Sequence, residues 1–304
     1  MKTKNILVHA VALLVIIIWG TTFVSTKVLL NNGFNPASIL FYRFVLGYVG
    51  ILFFSVKSSL FAKTVKDELM FVLVGIFGGS LYYFTENLAL DITLASNVAL
   101  IVCINPLITA ILIHFLSKNE KMSQNLLLGS LLALMGVVLV VYNGNFSLNI
   151  TVVGELIAFI AAFSWSFYTL LLKHFSRKYS SLFITRKVLF YGIITIIPAF
   201  LWAPLTTDFS LFPKPVVWGN MLFLGLGASL FCYFMWSNTI RELGAVSASN
   251  YIYTMPIVTL IASTLIIDEK LSHTALIGAF LILIGVYVSE RKIIVNKANK
   301  KYSL

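Results

Sequence analysis

The residues best placed to do chemistry are two charges set in apolar surroundings, Arg43 within FYRFVLGYVG and Glu86 within LYYFTENLAL. A charge held in hydrocarbon costs roughly 3 kcal/mol or more on insertion scales, so such a side chain faces protein or water. A buried carboxylate can carry a coupling proton or bind a cationic group, whereas a buried guanidinium can lock two helices as an ion pair or meet a substrate. Pro106 and Pro256 stand next, each inside an apolar run. There proline removes one helical hydrogen bond and frees the carbonyl four residues earlier, at Val102 or Ile252, either to bind a ligand or only to shape the bundle. Aromatic side chains complete the set of binding candidates: Trp19, Tyr82, Tyr83, Tyr168, Tyr233, Trp236 and Tyr251, with Asn97 as a neutral hydrogen-bonding partner. Aromatic faces suit apolar, aromatic or cationic solutes, and packing between helices is the competing use for all of them.

These residues belong to a unit that occurs twice. Gly75, Tyr83, Phe84, Ala95, Pro106 and Thr109 recur as Gly225, Tyr233, Phe234, Ala245, Pro256 and Thr259. After one deleted residue, Glu120, Lys121, Ser123, Gly129 and Gly136 recur as Glu269, Lys270, Ser272, Gly278 and Gly285. Upstream, Trp19 and Lys27 recur as Trp165 and Lys173. The chain reads as a duplication, with residues 1–145 as the first repeat and 146–304 as the second. Glu86 has no acidic counterpart, since Trp236 stands at its place. The scaffold's symmetry therefore does not require an acid there, which favours a functional role.

The elements that must position these groups are membrane helices. Hydrophobic residues make up 59% of the chain and charged ones only 11%. Ten apolar runs are long enough to span a bilayer, at about 6–26, 36–56, 69–90, 93–116, 126–142, 152–172, 184–203, 216–240, 246–267 and 273–289. Five spans per repeat force the second copy to enter the membrane from the opposite side, so the fold class is an all-α membrane protein of two inverted five-helix repeats. Such a pair places a site between the halves near the midplane and suits alternating access.

Lys and Arg fix the expected orientation. Eighteen fall at the termini and in the loops on their side, against Lys27, Lys214 and Lys270 on the other, so both termini are expected in the cytoplasm. Basic residues beside an anionic leaflet also account for the net charge of +11, and no nucleic-acid partner is implied. Lys27 reads as an outer snorkelling anchor. The apolar N-terminal run is too long for a signal core and has no cleavage site, so it is expected to be retained. Cys103 and Cys232 occupy non-equivalent places and are not expected to pair. Gly129 and Gly136, like Gly278 and Gly285, lie seven residues apart on one face and read as packing positions of the fifth and tenth helices. Glu120 and Glu269 read as helix-end charges in short turns.

The motifs Trp19-Gly20-Thr21-Thr22-Phe23, Pro36 with Phe41-Tyr42-Arg43-Phe44, Ala95, Pro106, and Glu120 with Gly129 and Gly136 resemble, in order and spacing, the drug/metabolite transporter superfamily, EamA type. The second half departs from that pattern, with Trp165-Ser166 for an aromatic-glycine pair and Asp268-Glu269 for glycine-glutamate. The resemblance implies ten helices in two inverted repeats and export or exchange of small metabolites, amino acids or drugs. The expected function is a secondary transporter in the cytoplasmic membrane that exports a small metabolite or amino acid, with protons as the candidate coupling ion through Glu86. An obligate exchanger of phosphorylated or nucleotide sugars is the alternative within transport, disfavoured because only Arg43 is a clearly intramembrane base; a non-transporting structural or partner-binding subunit is the alternative outside it. Enzymatic function is not expected: none of His9, His114, His174 or His273 begins an HExxH motif, and GxSxG and Walker A sequences are absent. No cofactor or metal is expected, and the partners are a small-molecule substrate and the lipid bilayer.

Overall fold

A computed structural model describes residues 2–55, 59–116, 124–142, 150–208, 210–269 and 272–290. Every regular element among them is helical, in ten passages. In the first repeat these are α1 (Lys2–Asn31), α2 (Pro36–Ser55), α3 (Val65–Ile92), α4 (Ala95–Val102 continued by Asn105–Leu116) and α5 (Gln124–Tyr142). In the second they are α6 (Ile150–Phe175), α7 (Ser181–Leu201), α8 (Pro215–Leu243), α9 (Ala245–Ser249, Asn250–Thr254 and Met255–Ile266) and α10 (His273–Glu290). Seven of the helices are long and apolar enough to cross a bilayer by length and composition alone, among the described residues.

The passages follow the ten apolar runs to within a few residues, and the repeats match in their irregularities as well. The helical hydrogen bonding of α3 widens to a π turn at Ile76–Ser80, and α8 does the same over Phe223–Phe231, which contains the equivalent positions. Both segments hold glycines that admit neighbouring side chains, and π turns of this kind recur at functional sites. The fourth passage of each repeat breaks ahead of its proline: α4 at Cys103 and Ile104, α9 through the 3-10 turn Asn250–Thr254. Each proline is then the second residue of the restarted helix, where the missing N–H would have had no intrahelical partner.

The glycine faces of α5 and α10 meet each other. A Cβ added at Gly136 would stand 2.6 Å from the Gly278 carbonyl, and one at Gly285 2.5 Å from the Gly129 carbonyl. Small residues thus let two backbones touch where no hydrophobic force between helices exists. This pair stands at the edge of the bundle, and the remaining helices form the core that contains Arg43 and Glu86.

The two ends of the bundle tie neighbouring helices by different contacts. At the end that holds the start of α1, Asp67 accepts bonds from Lys178 and Tyr179, Glu68 accepts from Lys187 and Tyr191, and the Ala62 N–H donates to Glu68 at 2.6 Å. The hydrogen bond to Asp67 raises the pKa of Lys178, which lies in the turn between α6 and α7. At the other end α2 meets the segment after α7 through neutral groups: the Tyr42 hydroxyl donates to the Thr206 carbonyl at 2.8 Å, and the Thr206 N–H donates to Ser38 Oγ at 2.8 Å. Charge counting assigned Lys178 and Lys187 only a topological role; the structure gives both a carboxylate from the first repeat.

Candidate functional site

The breaks in α4 and α9 converge on one internal cavity between the repeats. α1 supplies Trp19, Thr22 and Phe23, α3 supplies Tyr82, Tyr83 and Glu86, and α4 supplies Val102 and Asn105 at its break. The second repeat contributes Trp165 from α6 and Ile252 and Met255 from the break in α9. The cavity is tight: about 10 Å³ is open to the centre of a water molecule, enough for one water.

The two carbonyls that the prolines were expected to free, Val102 and Ile252, thus belong to residues that line the same space from opposite repeats. The expected release of the second carbonyl is not what the structure shows: the Ile252 oxygen accepts from the Met255 N–H, and each proline stands in the first turn of its restarted helix. The unpartnered acceptors of the wall are side-chain atoms. Glu86 is 1% exposed and its Oε1 has no hydrogen-bond partner, nor has Oδ1 of Asn105, which is also 1% exposed. Tyr82 stands one turn before Glu86 on the same face of α3. Trp165 Nε1 is the one unpartnered donor among the described lining side chains. Aromatic faces form the walls: Trp19 and Trp165, equivalent in the repeat, meet edge to face at 5.1 Å, and Tyr82 lies 4.7 Å from Trp165.

Arg43 stands behind this wall. Its side chain is fully buried, Nε donates to Ser229 Oγ at 3.0 Å, and the guanidinium lies 4.1 Å over the Tyr83 ring. Neither Nη1 nor Nη2 of Arg43 has a hydrogen-bond partner, so Oε1 of Glu86 and the guanidinium do not form a hydrogen-bonded ion pair. The π-face contact stabilises a desolvated cation by about 2 kcal/mol.

The remaining sequence candidates fall into layers. Tyr233 and Trp236 pack on Trp19 at 6.1 Å and 5.1 Å, and Tyr168 packs on Trp165 at 4.9 Å, all of them outside the cavity wall. Asn97 lies in the first turn of α4, near its connection to α3, where its amide donates to Glu155 Oε1 at 2.8 Å. Tyr251 is at the opposite end, hydrogen-bonded to His9 through its hydroxyl. Pro106 and Pro256 open the helices whose first turns border the site. Asn105, which like Asn97 could be read from the sequence as a neutral hydrogen-bonding group, does line the cavity, whereas sequence reasoning passed over Trp165. The repeat itself held the signal for Trp165, since its counterpart Trp19 was already a candidate.

Two charged residues read as local features make longer connections. Lys27, rather than snorkelling, donates from Nζ to the carbonyls of Leu90 and Thr93, the latter at 3.0 Å, at the end of α3. Glu269 bonds the first turn of α4, not its own neighbouring helix: Oε1 accepts from the Ala95 N–H at 2.7 Å and Oε2 from the Ser96 N–H at 3.2 Å. Glu120 lies outside the described residues.

An arrangement of two five-helix units meeting at paired helix breaks can be compared with known proteins. The model of the EamA-like transporter family matches residues 6–142 and 152–290. The chain belongs to that family. This EamA-like transporter is 29% identical over 306 residues to the uncharacterized transporter YyaM of Bacillus subtilis (strain 168), covering 98% of each chain. It is 27% identical to an uncharacterized transporter of Archaeoglobus fulgidus, covering 93% of this chain and 97% of that one. A probable amino-acid metabolite efflux pump of Escherichia coli (strain K12) is 23% identical, with 91% and 93% covered. One solved crystal structure superimposes with a TM-score of 0.66 over 93% of this chain and 97% of that chain at 18% identity, which is a likeness of fold. The protein is therefore a multi-pass membrane transporter and not an enzyme.

Proposed function

We propose that the protein is a secondary transporter that exports a small metabolite or amino acid across the cytoplasmic membrane by alternating access, with both termini in the cytoplasm. The observation that carries this reading is the cavity built from both repeats at the breaks before Pro106 and Pro256. Discontinuous helices meeting between inverted repeats are where such folds bind cargo. With room for a single water, the site admits a solute only when the repeats part, and rocking one against the other exposes it to each side in turn.

The lining selects the cargo's polarity. Among the described residues its unpartnered side-chain groups are mainly acceptors, it holds one carboxylate, and no Lys or Arg lines it. An ammonium group satisfies several such acceptors at once and gains from aromatic faces. The name of the Escherichia coli relative is consistent with an amino-acid-like cargo. The same chemistry weighs against the exchanger of phosphorylated sugars, which would ask for basic side chains at the wall, and Arg43 is committed to Ser229 and Tyr83. Glu86 is the candidate carrier of a coupling proton, because its side chain is the one carboxyl group among the described lining residues.

The test is uptake and efflux by proteoliposomes screened against amino acids and small amines, with and without an imposed pH gradient, alongside Glu86→Gln. Saturable, gradient-dependent flux that the variant loses is expected. Flux indifferent to both gradient and variant makes the protein a facilitator and Glu86 structural.

A further inference from the structure

The duplication places Lys27 and Lys173 at equivalent positions on α1 and α6, yet the structure uses them differently. Lys27 holds the last carbonyls of α3, while Glu269, from the other repeat, holds the first N–H groups of α4. A cation at a helix C-terminus and an anion at an N-terminus each match the helix dipole. Together they clamp both sides of the short connection between α3 and α4. The clamp is needed there, because Leu94, the capping position of α4, offers the helix no side-chain bond. It also crosses between repeats, so it holds this end of the protein shut. Asp268, in the left-handed region at φ 53°, turns the chain that delivers Glu269.

The repeat carries the same connection at the opposite end, between α8 and α9. Ile240, Leu243 and Ala245 stand where Leu90, Thr93 and Ala95 stand in the first copy. Among the described residues, the Lys173 side chain makes no hydrogen bond or ion pair, its carbonyl alone accepting from Ser176 Oγ; it faces a surface recess together with His174 and Arg177. One copy of the clamp is engaged and its counterpart lysine is free.

We infer that Lys27 with Glu269 and, in the opposite state, Lys173 are reciprocal gate residues: the first pair closes the α3–α4 end, and Lys173 closes the α8–α9 end by docking on the terminal carbonyls of α8. The inference rests on the alternating-access reading proposed above. In the repeat-swapped state Lys173 leaves its recess for the carbonyls of Ile240 and Leu243, while Lys27 and Glu269 release the α3–α4 connection. Each lysine is a positioning residue: it touches no cavity atom and sets which side the cavity opens to.

The experiment reads accessibility from each face. A Thr22→Cys reporter in the cavity wall, in a Cys103→Ala, Cys232→Ala background, is labelled with an impermeant maleimide in intact cells and in inverted vesicles. Lys27→Met and Glu269→Gln should raise labelling from the α3–α4 face about tenfold and lower it from the other, because an opened gate shifts the population rather than the total. Lys173→Met should do the reverse, and Lys27→Arg, which keeps the cation, should behave as the parent. Shifts in the same direction for both lysines, or none, overturn the clamp. Misfolding would expose the reporter from both faces, in Lys27→Arg as well. A parent reporter labelled from one face only, with or without substrate, overturns alternating access and the clamp with it; labelling from both faces that the variants leave unmoved overturns the clamp alone.

Discussion

Gly285→Ala should separate the two helices at the edge of the bundle. The added methyl would stand 2.5 Å from both the Ala133 nitrogen and the Gly129 carbonyl, where ordinary contact begins at 3.4 Å, so α5 and α10 must part by about 0.9 Å. Both obstacles are backbone atoms within a helix, and no side-chain rotation relieves them. Overpacking of this kind costs about 1–3 kcal/mol, against about 1 kcal/mol gained by replacing glycine with alanine inside a helix. A net loss of up to about 2 kcal/mol is expected. Gly219→Ala is the control: it lies in α8 with nothing within 4 Å of the added carbon, and should gain up to about 1 kcal/mol. The assay is the apparent unfolding midpoint of purified protein in detergent, read by tryptophan fluorescence and by retention on size exclusion. Gly285→Ala and Gly136→Ala should both fall below the parent, and Gly219→Ala should not. If Gly285→Ala proves as stable as Gly219→Ala, the close approach of α5 and α10 is refuted.

Asp268→Gly, measured the same way, should stabilise the protein by about 1 kcal/mol, since φ 53° is open to glycine at little cost and disfavoured for a side chain. Asn97→Ala should be the costlier change at its site, by about 2–3 kcal/mol, because it strips Glu155 Oε1 of its hydrogen bond and leaves a 3% exposed carboxylate without a partner. Glu155→Gln keeps an acceptor for Asn97 and should be mild; equal losses for the two would show that this bond is unimportant.

Much of the architecture was readable from hydropathy, because a backbone in lipid must form whole helices and the apolar runs leave few other places for them. The breaks in α4 and α9 were readable too, since proline dictates them locally, and Val102 and Ile252 were named from that rule. The π turns were not. They arise from how glycine-rich α3 and α8 accommodate neighbours such as Tyr168, whose ring lies 2.3 Å from where a Cβ on Gly78 would be. The partners of Lys27 and Glu269 were hidden for a related reason. A charged side chain near a helix end looks the same in sequence whether it serves its own helix or one from the other repeat. Arg43 was legible as buried but not as paired, since the Tyr83 face and Ser229 become its partners only once α2, α3 and α8 are assembled.

The meeting of α5 and α10 also bears on synthesis. α5 ends at Tyr142 and α10 at Glu290, so α5 waits in the bilayer without its chief partner while about 150 further residues are made, on the order of 10–30 s at usual elongation rates. Its glycine face can meanwhile receive the same face of α5 from another newly made chain. Intramolecular closure therefore competes with pairing between nascent half-proteins, and slowing translation of the second repeat should favour tangled pairs of chains over the native fold.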